Sequence, residues 1–113
     1  MHEFSLACNV LEIVEENTQL MHATKVLELT LEIGSLAGIE LQALQTAIES
    51  IQKNSIMENA VVNYNIIQAK ATCLHCKFEF EPTEIYSACP KCNNHGIQIL
   101  SGQELIVKSM AIE

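Results

Sequence analysis

Two residue types are missing from this chain of 113 residues: it has no aspartate and no arginine. All fourteen acidic side chains are glutamates and all six basic ones are lysines, for a formal net charge of −8. Without arginine the chain lacks the side chain best suited to bidentate contact with phosphate or guanine. A strongly acidic chain of this kind is not expected to bind nucleic acid. Without aspartate, the EF-hand loop and many Mg²⁺ sites are excluded, and a Ser-His-Asp triad would need glutamate in its place. Glycine is scarce, with isolated residues at 34, 38, 96 and 102, so no phosphate-cradling loop is present. No stretch approaches the roughly 18 apolar residues of a membrane span, and no membrane insertion is expected. Met1-His2-Glu3 lacks a basic leader, and Glu12, Glu15 and Glu16 interrupt the apolar residues that follow, so no secretion signal is expected. The expectation is a cytoplasmic protein with reduced thiols.

Against these absences stand four paired cysteines. Cys73-Leu74-His75-Cys76 and Cys89-Pro90-Lys91-Cys92 are two Cys-x-x-Cys motifs separated by twelve residues. Each motif curls the backbone so that both sulfurs face one metal, and two of them fill a tetrahedral shell. A closed Cys₄ shell leaves no position for water, so the site reads as structural zinc rather than hydrolytic zinc. A redox dithiol suits one pair better than two, and the thioredoxin-like context is missing. Cys8, the fifth cysteine, reads as a buried thiol on a helix. His75 and His95 flank the motifs as alternate or neighbouring ligands, imidazole also being a good ligand for zinc.

Hydrophobic periodicity supplies the frame. Residues 4–19 read as a helix, with Leu6, Val10, Ile13 and Val14 at three- and four-residue steps and Ala7 and Leu11 beside them. Residues 25–33 alternate, Leu27, Leu29, Leu31 and Ile33 against Glu28, Thr30 and Glu32, and predict a strand with one buried face. A second helix spans 39–53 on Leu41, Leu44, Ile48 and Ile51, with no Ser, Thr, Asp or Asn to cap it. Residues 60–69 form a second strand and 104–112 a last one, with Ile106, Met110 and Ile112 on one face. Between them lies a lobe over 70–102, with short strands at 77–81 and 96–100. The fold class is α+β: a three-stranded sheet with two helices on one face and an inserted zinc-ribbon-like Cys₄ lobe. The domains are 1–69 with 103–113, and 70–102. About thirty residues bury too little surface to fold unaided, so metal must hold the lobe.

The N-terminus is a second candidate site. An α-amino group, an amide and the imidazole of His2 in sequence can form adjacent chelate rings, a nitrogen set that suits Ni²⁺ or Cu²⁺. Glu3 also fits a plainer role, as a negative charge in the first helical turn.

The sequence resembles the HypA/HybF family of hydrogenase maturation factors, which are nickel metallochaperones. The residues that carry the likeness are Met1-His2-Glu3-Phe4-Ser5, Leu31-Glu32-Ile33-Gly34-Ser35-Leu36, the two cysteine pairs, and Gly102-Gln103-Glu104-Leu105-Ile106-Val107. They are spread over the whole chain. The resemblance implies nickel ligation by His2, with Glu3 and the Met1 amine as co-ligands, and zinc ligation by Cys73, Cys76, Cys89 and Cys92. It implies a nickel-binding α/β domain with a zinc insert, and no enzymatic activity. The implied task is delivery of Ni²⁺ to the large subunit precursor of a [NiFe]-hydrogenase, with a HypB-type GTPase as partner. The chain departs from many members in having Asn93-Asn94 where Gly-Ser is common, and Leu44 and Ile48 where aromatics are common.

Two rival readings follow from the residues alone. A zinc-ribbon module for nucleic acid or protein would use the cysteine pairs, with Lys70, Lys77 and Lys91 nearby. The acidic charge and missing arginine oppose the nucleic-acid form. A hydrolytic zinc enzyme would need an open coordination position and a general base, and a Cys₄ shell supplies neither.

Overall fold

A computed structural model describes residues 2–113. The elements are α1 (His2–Leu20), β1 (Val26–Gly34), α2 (Leu41–Gln52), β2 (Val61–Ile67), β3 (Lys70–Cys73), β4 (Glu79–Phe80), β5 (Ile97–Ser101) and β6 (Leu105–Ile112). They form two three-stranded sheets, in the orders β2-β1-β6 and β4-β3-β5. The α+β class and the four-cysteine lobe expected from the sequence are present. Two compact units are distinguished. The first comprises the residues up to Leu31, Ile39–Tyr64 and Val107–Glu113, and the second comprises Glu32–Gly38 and Asn65–Ile106. No helix among the described residues is long and apolar enough to cross a membrane.

In the first unit α1 packs against α2. Ala7, Val10 and Val14 are the buried stripe of α1, and Leu44, Ala47 and Ile48 that of α2. Thr18 is buried as well, and its hydroxyl donates to the Glu15 carbonyl at 2.9 Å. The end of α1 is fixed by His22, whose φ of 55° is left-handed, while Ala23 N–H reaches back to the Thr18 carbonyl at 2.8 Å. That pattern closes a helix on its own last carbonyls. It gives His22 a backbone task.

The helix α2 starts on a cap that the usual residue types do not reveal. Glu40 is extended, and its carboxylate accepts from Gln42 N–H at 3.2 Å and Ala43 N–H at 2.7 Å. A glutamate thus does the work usually given to Ser, Thr, Asp or Asn. Contacts between β1 and β2 advance in the same sense along both strands, from Asn63 beside Glu28 and Thr30 to Ile67 bonded to Ser35. The strands are therefore parallel, and α2 is the crossover such a pair requires. Lys25 exchanges backbone bonds with Glu113, and Gly34 N–H donates to the Glu104 carbonyl, so β6 runs antiparallel to β1.

Four expectations need correction. Leu27 is 43 % exposed and Val26 is buried, because Lys25 is tied to Glu113 and Val26 to Ile56, which seats Val26 on the covered side. Ile106 is 45 % exposed: β6 is covered on the face of Leu105 and Val107 first, then on that of Met110 and Ile112. Cys8 is exposed, on the side of α1 turned away from its core stripe. In the lobe, β3 is a strand that the sequence did not announce, while the strand expected over 77–81 is only Glu79–Phe80.

Within the second unit three backbone segments meet at two glycines. A Cβ on Gly34 would lie 2.1 Å from the Gly102 carbonyl carbon, and one on Gly102 would lie 2.3 Å from Ala69 Cα. Gly102 also has a φ of 103°. Leu36 N–H donates to the Gly102 carbonyl at 2.7 Å, Ser35 N–H to the Ile67 carbonyl at 2.8 Å, and Ala69 N–H to Ser35 Oγ at 2.9 Å. The segments are bonded at a spacing that only missing side chains allow. Gly102→Ala should therefore cost on the order of 3 kcal/mol or more. Gly38→Ala, at a φ of 71° but in open space, should cost only about 1 kcal/mol. Thermal denaturation of the two variants checks the ranking.

Candidate metal centre

The four sulfurs of Cys73, Cys76, Cys89 and Cys92 lie within 4.8 Å of one another. Cys73 Sγ is 3.6 Å from Cys92 Sγ, and Cys76 Sγ is 3.6 Å from Cys89 Sγ. A tetrahedral metal with bonds of about 2.3 Å to sulfur sets S···S edges of roughly 3.8 Å. The donor set and its spacing fit such an ion. Among the described residues it is the group of metal-ligating side chains that converges in this way.

The two motifs are built alike. Cys73 N–H donates to the Phe78 carbonyl at 2.9 Å, and Lys77 N–H to the Cys73 carbonyl at 2.9 Å. Sixteen residues later Cys89 N–H donates to the Asn94 carbonyl at 2.8 Å, and Asn93 N–H to the Cys89 carbonyl at 2.8 Å. In both, the residue after the second cysteine is left-handed, Lys77 at 67° and Asn93 at 65°. Asparagine tolerates that region better than most residues. Asn93 therefore suits this turn. Strand β3 delivers Cys73, with Thr72 opposite Glu79 on β4 and Cys73 opposite Ile97 on β5. Lys91 places its ammonium 5.6 Å from the centre of the Phe78 ring, and Phe78 stacks with Phe80 at 6.4 Å. A cation over an aromatic face ties one motif to the other.

Backbone amides prepare the sulfurs for ionisation unequally. The Cys76 amide, at 3.4 Å, and the His75 amide hold the Cys73 thiol down to about 6, against the penalty of burial. At Cys89 burial opposes ionisation, but the Cys92 and Lys91 amides outweigh it and lower the value. Cys92 goes the other way: the Asn94 amide favours its thiolate, yet burial and the three neighbouring sulfurs push it up to about 12. With thiolates already favoured at Cys73 and Cys89, the last of the four sulfurs ionises readily only with a cation among them. Binding of a metal must therefore release protons and strengthen as pH rises.

At the other candidate site, His2 opens α1 and is exposed. Glu3 Oε2 accepts from the Glu40 amide at 3.3 Å, while the Glu40 carboxylate caps α2. The Glu40 amide is also the main reason that the Glu3 carboxyl lies below its ordinary value. That contact is made by the ionised carboxylate, so it is present above the ordinary glutamate range and lost as pH falls through the lowered value. Glu40 is the residue that sequence reasoning missed here, because a glutamate ahead of a helix is not a standard capping signal. Met1, the expected amine ligand, lies outside the described residues. His75 is exposed, and its amide rather than its ring serves the sulfur site. His95 is exposed with Nδ1 3.4 Å from the Tyr86 carbonyl.

The helices α1 and α2 belong to the first unit and the sulfur site to the second. Removal of metal by a chelator should therefore leave most helical circular dichroism intact. Amides of β3, β4 and β5 should lose their exchange protection. Amide exchange resolved by residue, with and without chelator, checks both halves.

Comparison with known proteins identifies the family. The family described as hydrogenase/urease nickel incorporation, metallochaperone, hypA matches residues 1–112. A hydrogenase maturation factor HypA from Parabacteroides distasonis is 40 % identical over 113 residues, covering 100 % of this chain and 98 % of that one. Its counterpart from Actinobacillus succinogenes is 35 % identical over the full length of both. The solution structure of the Ni metallochaperone HypA from Helicobacter pylori matches with a TM-score of 0.72 at 21 % identity, over 97 % of this chain and 96 % of that one, which supports the fold. The chain belongs to the HypA family of hydrogenase and urease nickel-incorporation metallochaperones.

Proposed function

We propose that this protein captures Ni²⁺ at its N-terminus and passes it to the large subunit precursor of a [NiFe]-hydrogenase. A HypB-type GTPase is the proposed partner, and the cytoplasm the proposed site of action. His2 is the principal ligand, with Glu3 and the Met1 amine beside it. The four cysteines hold Zn²⁺ as a resident structural ion, and the chain is a carrier rather than an enzyme. In this reading nickel handling belongs to 1–69 with 103–113, and zinc binding to 70–102.

The observation that carries the reading is the placement of His2 in a chain of this family: an exposed imidazole next to a carboxylate that Glu40 already fixes. A groove of about 530 Å³ opens nearby, lined by Phe4, Glu40, Ala43 and Ala47 among others, and gives incoming ligands room. The chemistry differs from that of the sulfur site. A closed shell of four thiolates holds its ion on every side, whereas a few nitrogen and oxygen donors at a chain end leave positions that an acceptor can take stepwise. Nickel then stays coordinated throughout its transfer.

Nickel binding should weaken as pH falls, because imidazole and amine must lose protons to bind the metal. Calorimetric titration of tag-free, zinc-loaded protein should give about one Ni²⁺ per chain and no saturable uptake by His2→Ala. Glu3→Gln should weaken binding by about tenfold without abolishing it. Equal binding by native protein and His2→Ala would sink the N-terminal assignment.

A further inference from the structure

One flank of α1 carries a pattern that the metal sites do not use. Leu6, Ile13 and Leu20 recur every seven residues along one flank of the stripe of Ala7, Val10, Val14 and Thr18 that faces the core, with Leu6 half-buried at the edge of that stripe. Seven residues is close to two helical turns, so the three side chains lie in one line. Ile13 is 43 % exposed and Leu20 is 78 % exposed. His2, four residues before Leu6, lies on the same line. Met21, 66 % exposed, extends the apolar patch past the helix end.

The charge along this line has one sign. Glu16 borders Ile13 and Leu20 on the solvent side, Glu12 lies further round toward solvent, and α1 contains no lysine. A second copy of the chain laid face to face on this patch would set glutamates against glutamates, which disfavours self-pairing. The complement is a helix with its own apolar stripe flanked by lysine or arginine.

We propose that this flank of α1 is a docking rail for a cationic amphipathic helix of the protein with which nickel is exchanged. The helix lies along Leu20, Ile13 and Leu6, and its end reaches His2. The rail is roughly 27 Å long at about 1.5 Å per residue, enough to hold one helix in register. Its link to nickel rests on the reading of His2 given above; the docking itself does not. The arrangement brings the acceptor's ligands to the imidazole through contacts that never touch the metal.

The test uses isotope-labelled, zinc-loaded full-length protein and a synthetic amphipathic helix of leucine and lysine, with a leucine-glutamate peptide of the same pattern as control. The lysine peptide should shift amides along α1, chiefly from Leu6 to Met21, and the glutamate peptide should shift none. The exposed double substitution Ile13→Ser with Leu20→Ser should weaken binding by about tenfold or more. Glu12→Gln with Glu16→Gln should weaken it severalfold at low salt and little at high salt. Failure of the lysine peptide to bind, shifts concentrated elsewhere, or indifference to both double substitutions would each overturn the proposal. So would self-association in sedimentation that the Ile13 and Leu20 substitutions remove, since the occupant would then be a second copy. Nickel titration of the same variants separates the two readings. Lost peptide binding with unchanged nickel uptake places the effect in docking. Intact peptide binding with no nickel at His2 removes the nickel reading alone.

Discussion

Four sulfur atoms within 4.8 Å of one another cannot all be thiolates without a cation among them. That constraint organises the second unit. It explains why Cys73 is prepared for ionisation at about 6 while Cys92 is held at about 12: the first negative charge is favoured by amides, and the last is opposed by its neighbours. It explains the left-handed residues at 77 and 93, which turn each motif back on itself so that both of its sulfurs point inward. It also explains how a β4-β3-β5 sheet with one strand of two residues persists. Such a sheet has little apolar surface to bury, and an ion that binds only the folded arrangement contributes folding free energy directly.

The first unit follows a different logic, that of an ordinary apolar core. Its stability comes from α1 on α2 and from the covered residues of β1, with caps supplied by His22 and Glu40. Such a unit needs no ion, so its chain end is available for a metal that comes and goes. The contact from Glu3 to the Glu40 amide links that end to the start of α2. The proposed nickel ligands therefore start from a helix fixed by packing, and the exposed imidazole still reaches solvent.

Much of this was legible in the sequence, for reasons that differ by region. The sulfur site was plain because ligand spacing is a local property, and two Cys-x-x-Cys motifs restrict the geometry strongly. The helices and outer strands showed in their periodicity, because one face of each is covered. The failures fall where tertiary contacts decide. Val26 replaces Leu27 on the covered side only because of bonds to Ile56 and, through Lys25, to Glu113. Ile106 is exposed because β6 changes its covered face along its length. Cys8 looked like core because a lone thiol carries no directional signal, yet it falls outside the buried stripe of α1. Glu40 escaped notice because its capping depends on an extended backbone conformation that its side-chain type does not announce.

The central claim is a chemical separation: soft sulfur donors keep one ion, and nitrogen and oxygen donors at the N-terminus lend another. X-ray absorption at the zinc and nickel edges of doubly loaded, tag-free protein tests it most directly. The account predicts a zinc shell of four sulfurs at about 2.3 Å. It predicts a nickel shell of nitrogen and oxygen only, with an imidazole signature that His2→Ala removes. Sulfur in the nickel shell, or an imidazole signature that survives that substitution, would contradict it.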